Sequence, residues 1–352
     1  MRCSRAVVLA SLLLFAAPLF ANEKTDIVVM KNGDHLTGEV IGLDAGVLYI
    51  KLDYVDGTLA VQWSKVSRLE SNRLLFVKTQ NGSVYTGQVS TAAATKDQTM
   101  RIQITESTSN KVTLDKSQIV TMDRTSEKFW QRFNGDVSFG VTFSKGNQST
   151  QYNLGSTLEY PRERWGAQVA LNSTLTSSTG ADASTRNDLT FSGNRLLRWN
   201  NYFYTGFASF LESTEQGINL QTSVGGGIGR YIKNTNRSKI ALIGGLAWQR
   251  THYQGANVDL GTQNVAAGML GAEVRVFKFK KTRLNMTASL FPAISEPGRV
   301  FFRTNQSYYI KLFGDVNWNV SFYGNWDSRP PLGLSGSDYG SSAGLSWSFG
   351  NK

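Results

Sequence analysis

Residues 136–144 read DVSFGVTFS, and they decide the fold class because apolar residues alternate with small or polar ones throughout. The odd-numbered positions from 137 to 143 hold Val137, Phe139, Val141 and Phe143. Serine, glycine and threonine occupy most of the even-numbered positions. A period of two predicts a β-strand with one apolar and one polar face. The stretch is therefore predicted to separate an apolar environment from a wet one.

Similar alternation continues to the C-terminus and predicts an all-β fold of about twelve antiparallel strands. They lie near residues 136–144, 150–160, 165–175, 187–198, 201–212, 218–232, 239–251, 264–278, 282–292, 299–312, 316–326 and 339–349. Each segment is about as long as a tilted strand that crosses a bilayer. An even number suits a closed barrel, so we predict a transmembrane β-barrel over residues 129–352. The alternative is a soluble β-sandwich, whose polar face would carry more Lys and Glu.

The connectors between these segments also alternate in length. Short ones fall at residues 161–164, 198–200, 233–238, 278–282 and 313–317, and mostly longer ones, such as 177–186 and 253–263, fall between them. Outer-membrane barrels have short periplasmic turns and longer external loops. The pattern predicts an outer-membrane location with the N-terminal region in the periplasm.

Charge is distributed unevenly along the chain. Residues 22–128 carry 13 basic and 13 acidic residues, whereas residues 129–352 carry 22 basic and 13 acidic ones. Many basic residues flank the short connectors, among them Arg162, Arg164, Lys233, Lys278, Lys280 and Lys281. Snorkelling of these side chains to the membrane interface is the first interpretation of this rim, and the alternative is a surface for outer-membrane lipid phosphates or an acidic periplasmic partner. Export makes nucleic acid an improbable partner.

The first 21 residues have the pattern of a signal peptide. Arg2 and Arg5 precede an apolar run over residues 6–15, and the expected cleavage follows Ala21. Cys3 is the only cysteine and would be removed with this segment. The mature chain is then expected to have no disulfide and no thiolate metal site.

The N-terminal third contains a repeat. KNGDHLTGEV at residues 31–40 returns as QNGSVYTGQV at residues 80–89. An Asn-Gly pair in each copy predicts a tight hairpin turn, and further alternating segments follow both. We predict two small SH3-like or Sm-like β repeats, over residues 22–72 and 73–128. Such modules commonly bind partners, so a periplasmic protein partner is expected here.

Residues with catalytic chemistry are scarce. The two histidines, His35 and His252, lack the serine or aspartate neighbours that barrel hydrolases use, and no Cys or His cluster suggests a metal. We therefore predict no enzyme activity and no catalytic, cofactor or metal residues. Glu273 and Arg275 are expected to face the interior and to pair across the lumen or with neighbouring groups. Whether the interior is plugged or is a narrow channel for ions or small polar solutes remains open.

The last strand carries a second signal. Ser342, Gly344, Trp347 and Phe349 fit the polar-x-Gly-x-x-aromatic-x-aromatic pattern that resembles the signal read by the outer-membrane assembly machinery. The same strand is predicted to close the barrel against residues 136–144, which would remove both sheet edges.

Three stretches carry a family resemblance: FWQRFNGDVSFGVTFSKGN at 129–147, VGGGIGRYIKNTNRSKIALIGGLAW at 224–248, and NWDSRPP with SDYGSSAGLSWSF between 325 and 349. In this order they resemble the domain of unknown function 481 family, a YdiY-like group described as salt-induced outer-membrane proteins. The resemblance implies an outer-membrane β-barrel of the Gram-negative envelope and supplies no activity. Our expectation is a structural or interaction role in the envelope, with a narrow channel as the second hypothesis and an envelope enzyme as the third.

Overall fold

The computed structural model describes residues 26–92, 100–106, 110–124, 129–144, 149–197, 200–254, 259–278, 282–331 and 333–349. Within them the regular structure is β-strand, apart from short 3-10 turns at residues 63–65, 116–118 and 129–132. The strands form an N-terminal β domain and a C-terminal barrel.

The described strands of the N-terminal domain share one sheet, in the order β4-β3-β2-β1-β5-β6-β7-β8, with β9 pairing with β2 and β5. Their bounds are β1 (Asp26–Met30), β2 (His35–Asp44), β3 (Val47–Lys51), β4 (Leu59–Gln62), β5 (Val66–Thr79), β6 (Val84–Thr91), β7 (Arg101–Thr105), β8 (Lys111–Asp115) and β9 (Ile119–Arg124).

β5 joins the two sequence repeats. Its first part pairs with β1 and its second part with β9, so each repeat has five strands and shares this long one. The register shifts in β5 between Ser71 and Leu75, which spans the predicted repeat boundary between residues 72 and 73. The repeats are therefore fused in one sheet rather than closed separately.

One apolar core contains residues from both repeats. Leu43, Leu48 and Trp63 of the first repeat lie in the same buried cluster as Ile102 and Met122 of the second. Full burial of such a side chain contributes about 1.5–3 kcal/mol relative to exposure. This shared core explains why the two repeats form a single domain.

The described strands of the C-terminal part form a closed antiparallel barrel of twelve, each paired with its neighbours in chain order. They are β10 (Asn134–Ser144), β11 (Ser149–Pro161), β12 (Trp165–Ser178), β13 (Ala181–Leu196), β14 (Tyr202–Ser213), β15 (Ile218–Asn234), β16 (Ser238–Gln254), β17 (Asp259–Lys278), β18 (Thr282–Pro292), β19 (Val300–Phe313), β20 (Val316–Asp327) and β21 (Ser337–Phe349). The barrel prediction is confirmed, and the predicted strand positions agree closely.

A belt of apolar side chains covers the outside of the barrel. Leu246, for example, is 65% exposed and Leu270 is 59% exposed, although both lie in long regular strands. In each strand, the residues that alternate with these exposed side chains face inward and are more buried. An exposed apolar belt of this extent is unfavourable in water and suits the hydrocarbon of a bilayer.

Two of the predicted long loops are wrong. Residues 177–186 are mostly strand, with a two-residue turn at 179–180 in which Gly180 has φ +83°. Residues 253–263 are likewise strand on both sides of positions 255–258, which lie outside the described residues. Ser, Thr and Asn suggested loops here, but continued pairing of β12 with β13 and of β16 with β17 satisfies their backbone groups.

The interior is less polar than the sequence indicated. Val265, Met269, Phe291 and Phe301 form a buried apolar cluster on the inner face of β17–β19, against which Phe207 packs. Burial of these side chains removes part of the wet interior that alternation alone predicts.

Glycines of β15 make space for rings inside the barrel. A side chain at Gly225 would meet the ring of Phe207 at 2.5 Å, and one at Gly229 would meet Phe203 at 2.2 Å. The glycine-rich stretch is therefore a close-packed part of the barrel wall.

Candidate functional site: the short-turn mouth and the barrel interior

The N-terminal domain contacts the end of the barrel that carries the short turns. Asn201, in the turn before β14, donates from Nδ2 to the carbonyl of Gln80 at 2.7 Å. Asn234, at the end of β15, donates to Asn201 Oδ1 at 3.0 Å. Asn201 has φ 59°, a conformation that asparagine tolerates better than most residues. The local turn thus aims Asn201 at the hairpin of the second repeat.

Two further contacts extend this interface. Thr86 Oγ1 donates to Glu163 Oε1 of the β11–β12 turn at 3.2 Å. A side chain at Gly46, in the β2–β3 turn, would lie 3.4 Å from the carbonyl oxygen of Asn236. Both repeats therefore touch the same rim of the barrel.

Charged groups of the domain and of the barrel lie close together at this contact. Burial, and to a smaller extent Asp44, raises the pKa of Tyr49 to about 12, while the nearby Arg283 at the start of β18 acts in the opposite direction. Asp44 and Asp123 of the N-terminal domain also lie within electrostatic range of Lys239 in β16. Lys78 of the domain lies in the same range of Lys239, so groups of both signs from the domain lie near this basic residue.

The predicted basic rim lies partly in this interface. Arg162 and Arg164 are in the β11–β12 turn and are half-buried, and Arg164 Nη1 has no hydrogen-bond partner among the described residues. Lys233 is exposed near the end of β15. Lys278 ends β17, and Lys280 and Lys281 lie outside the described residues. The structure thus places Arg162 and Arg164 at the mouth. Their binding to lipid phosphates or to an acidic partner stays a prediction.

An aromatic cluster lies on the outer side of the same rim. The rings of Phe129, Phe133 and Tyr160 have centroids 4.9–5.2 Å apart. Trp165 lies 5.8 Å from Tyr160, and Trp130 is 80% exposed. Aromatic side chains with one polar end prefer the interface between lipid and water. This cluster marks the height at which the interface would meet the barrel.

Two arginines hold the outer, long-loop end of the interior together. Arg299 donates to Asp327 Oδ2 at 2.6 Å and to Glu296 Oε2 at 2.8 Å, and it is almost fully buried. Arg186 pairs with Asp338, which also accepts from Ser213 Oγ at 2.9 Å. Sequence analysis missed both networks because Arg299 and Asp327 are 28 positions apart and Arg186 and Asp338 are 152 apart.

Glu273 and Arg275, for which pairing across the lumen or with neighbours was expected, pair with each other on β17. Arg275 Nε lies 2.5 Å from Glu273 Oε1. Arg303 of β19 also lies in the interior, where its Nη2 donates to Ser223 Oγ at 3.2 Å and to Gln249 Oε1 at 3.0 Å. The two groups lie at different levels of the barrel, so charge recurs along its axis.

The predicted assembly residues lie on the strand that closes the barrel. β21 pairs with β10, with Trp347 opposite Val137 and Phe349 opposite Gly135. A side chain at Gly344 would meet the carbonyl oxygen of Phe139 at 2.3 Å. Ser342 Oγ lies 2.6 Å from Ser321 Oγ of β20. Closure gives Gly344 a structural reason of its own, and recognition by the assembly machinery stays a prediction.

The two histidines lie in different domains of the protein. His35 is exposed in the first hairpin, and His252 Nδ1 lies 3.1 Å from Thr262 Oγ1. Among the described residues, no group of three or more His, Cys, Asp and Glu side chains could hold a metal ion. No helix in the described part of the chain is long and apolar enough to cross a membrane.

A closed antiparallel barrel with an apolar outer belt and an interior of mixed polarity defines an outer-membrane-type β-barrel protein. The chain belongs to the family DUF481, described as protein of unknown function, whose profile matches residues 137–349. The family assignment from sequence is thereby confirmed. No curated protein matches the chain.

Several solved barrels resemble the chain weakly. The translocator domain of autotransporter NalP from Neisseria meningitidis is 12% identical, with 62% of this chain and 87% of that chain covered and a TM-score of 0.35. The β domain of the Bordetella autotransporter BrkA is 14% identical, with 62% and 98% covered and a TM-score of 0.30. A porin is 10% identical, with 92% and 97% covered and a TM-score of 0.27. Scores this low support no functional argument, and the barrel assignment rests on the strand pairing within the chain itself.

Proposed function

We propose that this protein is a non-enzymatic barrel of the bacterial outer membrane, with a structural or partner-binding role in the envelope. The observation that carries the proposal is the belt of exposed apolar side chains around a closed barrel. Water would penalise each of these side chains, whereas lipid would not. The aromatic cluster around Trp130 and Tyr160 supports the same placement.

The N-terminal domain is proposed to lie in the periplasm and to cover the short-turn mouth. In outer-membrane barrels the short turns are periplasmic, and the domain contacts that end through Asn201 and Thr86. It would present its edge strands β4 and β8 to a periplasmic protein. Exposed Lys233 and half-buried Arg162 would meet lipid phosphates beside it.

Fractionation and gel mobility test the membrane assignment. The full chain should fractionate with the outer membrane and migrate differently on SDS gels before and after boiling, because closed barrels resist SDS unless heated. Recovery of the whole protein in the soluble periplasmic fraction, with no heat-dependent shift, would contradict the proposal.

A narrow channel is the second candidate. Thr287 of β18 and Asn305 of β19 lie opposite each other on the inner face and remain exposed, so water reaches the middle of the barrel. The ion pairs at both ends and the covering domain favour a low conductance. Planar bilayer recordings of the purified full chain decide the matter, since a folded protein without conductance rules out the channel.

The enzyme alternative has a simple test. Replacement of His252 by alanine should leave any phenotype of the native gene unchanged, because the proposed role assigns this side chain no catalytic step. A loss of function in His252→Ala with normal folding would contradict the non-enzymatic proposal.

A further inference from the structure

Two exposed arginines lie on the outward face of the barrel wall, near the short turns. Arg195 of β13 lies opposite Trp165 of β12 and Tyr204 of β14, whose rings are 47% and 50% exposed. Arg230 of β15 lies opposite Tyr202 of β14, two residues nearer the turn than Tyr204. Residues directly opposite each other in a sheet share a face, so the arginines flank the two tyrosines on the outside. We call these five residues the basic–aromatic patch.

The strands that carry the patch place no carboxylate beside it. The acidic residues of β12–β15 all lie in the half that leads to the long loops: Asp182, Asp188 and Glu212. Glu163 of the adjacent β11–β12 turn accepts a hydrogen bond from Thr86 of the N-terminal domain. Among the ion pairs that the described part of the barrel forms, none includes Arg195 or Arg230. The patch therefore has a net positive charge at the edge of the apolar belt.

Arg230 is oriented by an aromatic ring. Its Cζ lies 5.2 Å from the centre of the Tyr202 ring, within the range of a cation–π contact. A guanidinium against a ring face keeps the N–H donors at its edge available, and their planar arrangement matches the oxygens of a phosphate. The patch thus combines positive charge with donors suited to a phosphate.

A row of glycines adjoins the patch, one step toward the middle of the barrel. Gly193, Gly206 and Gly226 lie side by side on β13, β14 and β15, and they share the outward face of Arg195 and Tyr204. A Cβ at any of the three would have only backbone atoms within 4 Å. Because neighbouring strands lie about 4.8 Å apart, the row leaves a shallow depression about 10 Å wide. An alkyl chain can lie against the wall there.

We propose that the basic–aromatic patch and the glycine row bind one anionic phospholipid from the leaflet at the short-turn end. Its phosphate would lie between Arg195 and Arg230, and an acyl chain would cover the glycine row. A headgroup with net negative charge is favoured because the patch carries two cations and no carboxylate. The inference rests on the proposed membrane location and names the lipid class that this surface selects.

Native mass spectrometry of the full chain, folded in detergent, tests the lipid preference. The probes are phosphatidylglycerol and phosphatidylcholine with identical acyl chains, so that only the headgroup differs. The native protein should bind phosphatidylglycerol about tenfold more tightly. Arg195→Gln and Arg230→Gln should each weaken that binding by about threefold to tenfold, because charge-assisted hydrogen bonds are lost, and the double variant should show no preference.

Arg237→Gln is the matched control for charge. Arg237 is exposed in the β15–β16 turn at the same end of the barrel, so this variant removes the same charge from the rim without touching the patch. It should change the affinity for phosphatidylglycerol by less than about twofold, since salt and water screen a charge beyond the site. An equal loss in Arg237→Gln would show a diffuse attraction to the rim and overturn the site.

The glycine row has its own pair of variants. Gly206→Leu fills the depression and should weaken both lipids by a similar factor, leaving the preference between them unchanged. Gly268→Leu is the control, because Gly268 of β17 faces outward in the same row and Leu246 separates it from Gly226. Equal effects of the two leucine variants would contradict a role for the depression.

Two further results would overturn the proposal: equal binding of the two lipids by the native protein, or an unchanged preference in both arginine variants. Tighter binding of polyglutamate than of phosphatidylglycerol would instead assign the patch to an acidic protein segment. Arg195 and Arg230 are tested separately, so a folding defect of one variant, seen as lost heat-dependent mobility, leaves the other decisive. A chain that fractionates with the outer membrane but shows no lipid preference contradicts this inference alone, whereas a soluble chain contradicts the proposed membrane location.

Discussion

Gly33 and Gly82 occupy equivalent positions in the two repeats, but their surroundings differ. Their φ angles are +91° and +85°, so both favour glycine for the same conformational reason. A side chain at Gly33 would meet nothing within 4 Å, whereas one at Gly82 would lie 2.9 Å from Asn201 Oδ1. Substitutions at these two glycines therefore distinguish the effect of backbone strain in the turn from the effect of the contact with the barrel.

Alanine at each position should reveal this difference. Gly33→Ala should lower the free energy of unfolding of the N-terminal domain by about 1 kcal/mol, the cost of a left-handed residue with a side chain. Gly82→Ala should cost about 1 kcal/mol more because it also crowds Asn201. Pulse proteolysis of the full chain across a urea series measures both, and equal losses would show that the hairpin does not depend on the barrel contact.

Lys116 is the residue whose protonation should affect the stability of the N-terminal domain. It lies in the second 3-10 turn, 4.8 Å from the centre of the Trp63 ring, and its Nζ donates to the carbonyl of Val66. Burial, and to a smaller extent Lys31, lowers the pKa of Lys116 from 10.5 to about 8. Between these two values the folded state binds fewer protons than the unfolded state.

Stability of the domain should therefore rise as the pH increases from about 8 toward 10, because the charged amine no longer has to be buried. Lys116→Met keeps the aliphatic chain and removes the titration. Proteolysis of the full chain across a urea series, repeated at several pH values, gives the urea midpoint for unfolding of residues 26–124. From about pH 8 to about pH 10 this midpoint should rise more for the native protein than for Lys116→Met. Parallel curves would contradict a lowered pKa at this residue.

At the scale of elements, the contact between β21 and β10 decides whether the barrel closes. Gly344 faces Gly140 across this seam, and a side chain at Gly344 would come within 2.7 Å of Gly140 Cα. On β17, a side chain at Gly271 would meet neighbours at 3.4 Å or more, which is ordinary contact. The two glycines thus differ in how closely the next strand approaches.

Gly344→Ala should therefore destabilise the closed barrel by about 1–3 kcal/mol, the usual cost of crowding a packed site, and Gly271→Ala should change little. The temperature at which the heat-modifiable gel shift occurs reports this difference. A normal shift temperature with reduced delivery to the outer membrane would instead assign Gly344 to the assembly signal. Equal shifts for both variants would contradict the steric argument.

The barrel strands were predictable because each alternates with a period of two over about ten residues. β10 and β21 show this best, and both occur as predicted. The strand extensions near Gly180 were not predictable, because Ser, Thr and Asn have the same local preferences in loops and in strands that project into water. Pairing with the neighbouring strand makes these residues part of β12 and β13, and such pairing cannot be predicted from the sequence of a single segment.

The interior was less predictable than the wall. The Glu273–Arg275 pair was visible because the two residues lie on one strand and one face. The Arg303 cluster joins residues up to 94 positions apart, and the contact of Asn201 with Gln80 spans 121 positions. Such contacts depend on barrel closure and on domain docking, for which the local sequence pattern carries no signal.

At the scale of the whole molecule, the two repeats and the barrel form one connected structure. Asn201, Glu163 and Asn236 lie in three different short turns, and each meets the N-terminal domain. A contact spread over several turns orients the domain better than a single tether would. It also means that the domain covers the mouth only while these small contacts persist.

Cross-linking in intact cells tests this docked arrangement. The mature chain is expected to contain no cysteine, so Thr86→Cys with Glu163→Cys introduces the only reactive pair, at positions whose native side chains hydrogen-bond at 3.2 Å. A short bifunctional maleimide should join them within one chain, visible as a change in gel mobility after boiling. Thr37→Cys with Glu163→Cys is the matched control, since Thr37 is the equivalent residue of the first repeat and is exposed.

Two further substitutions connect this measurement to the turn that positions the domain. Asn201→Gly keeps the positive φ of the turn but removes the bond to Gln80, so it should lower the cross-linking yield. Asn200→Gly changes the preceding residue, which also has a positive φ and is exposed, and it should leave the yield unchanged. Efficient cross-linking of the Thr37 pair, or equal yields in both glycine variants, would show that the domain does not dock on the barrel through this turn.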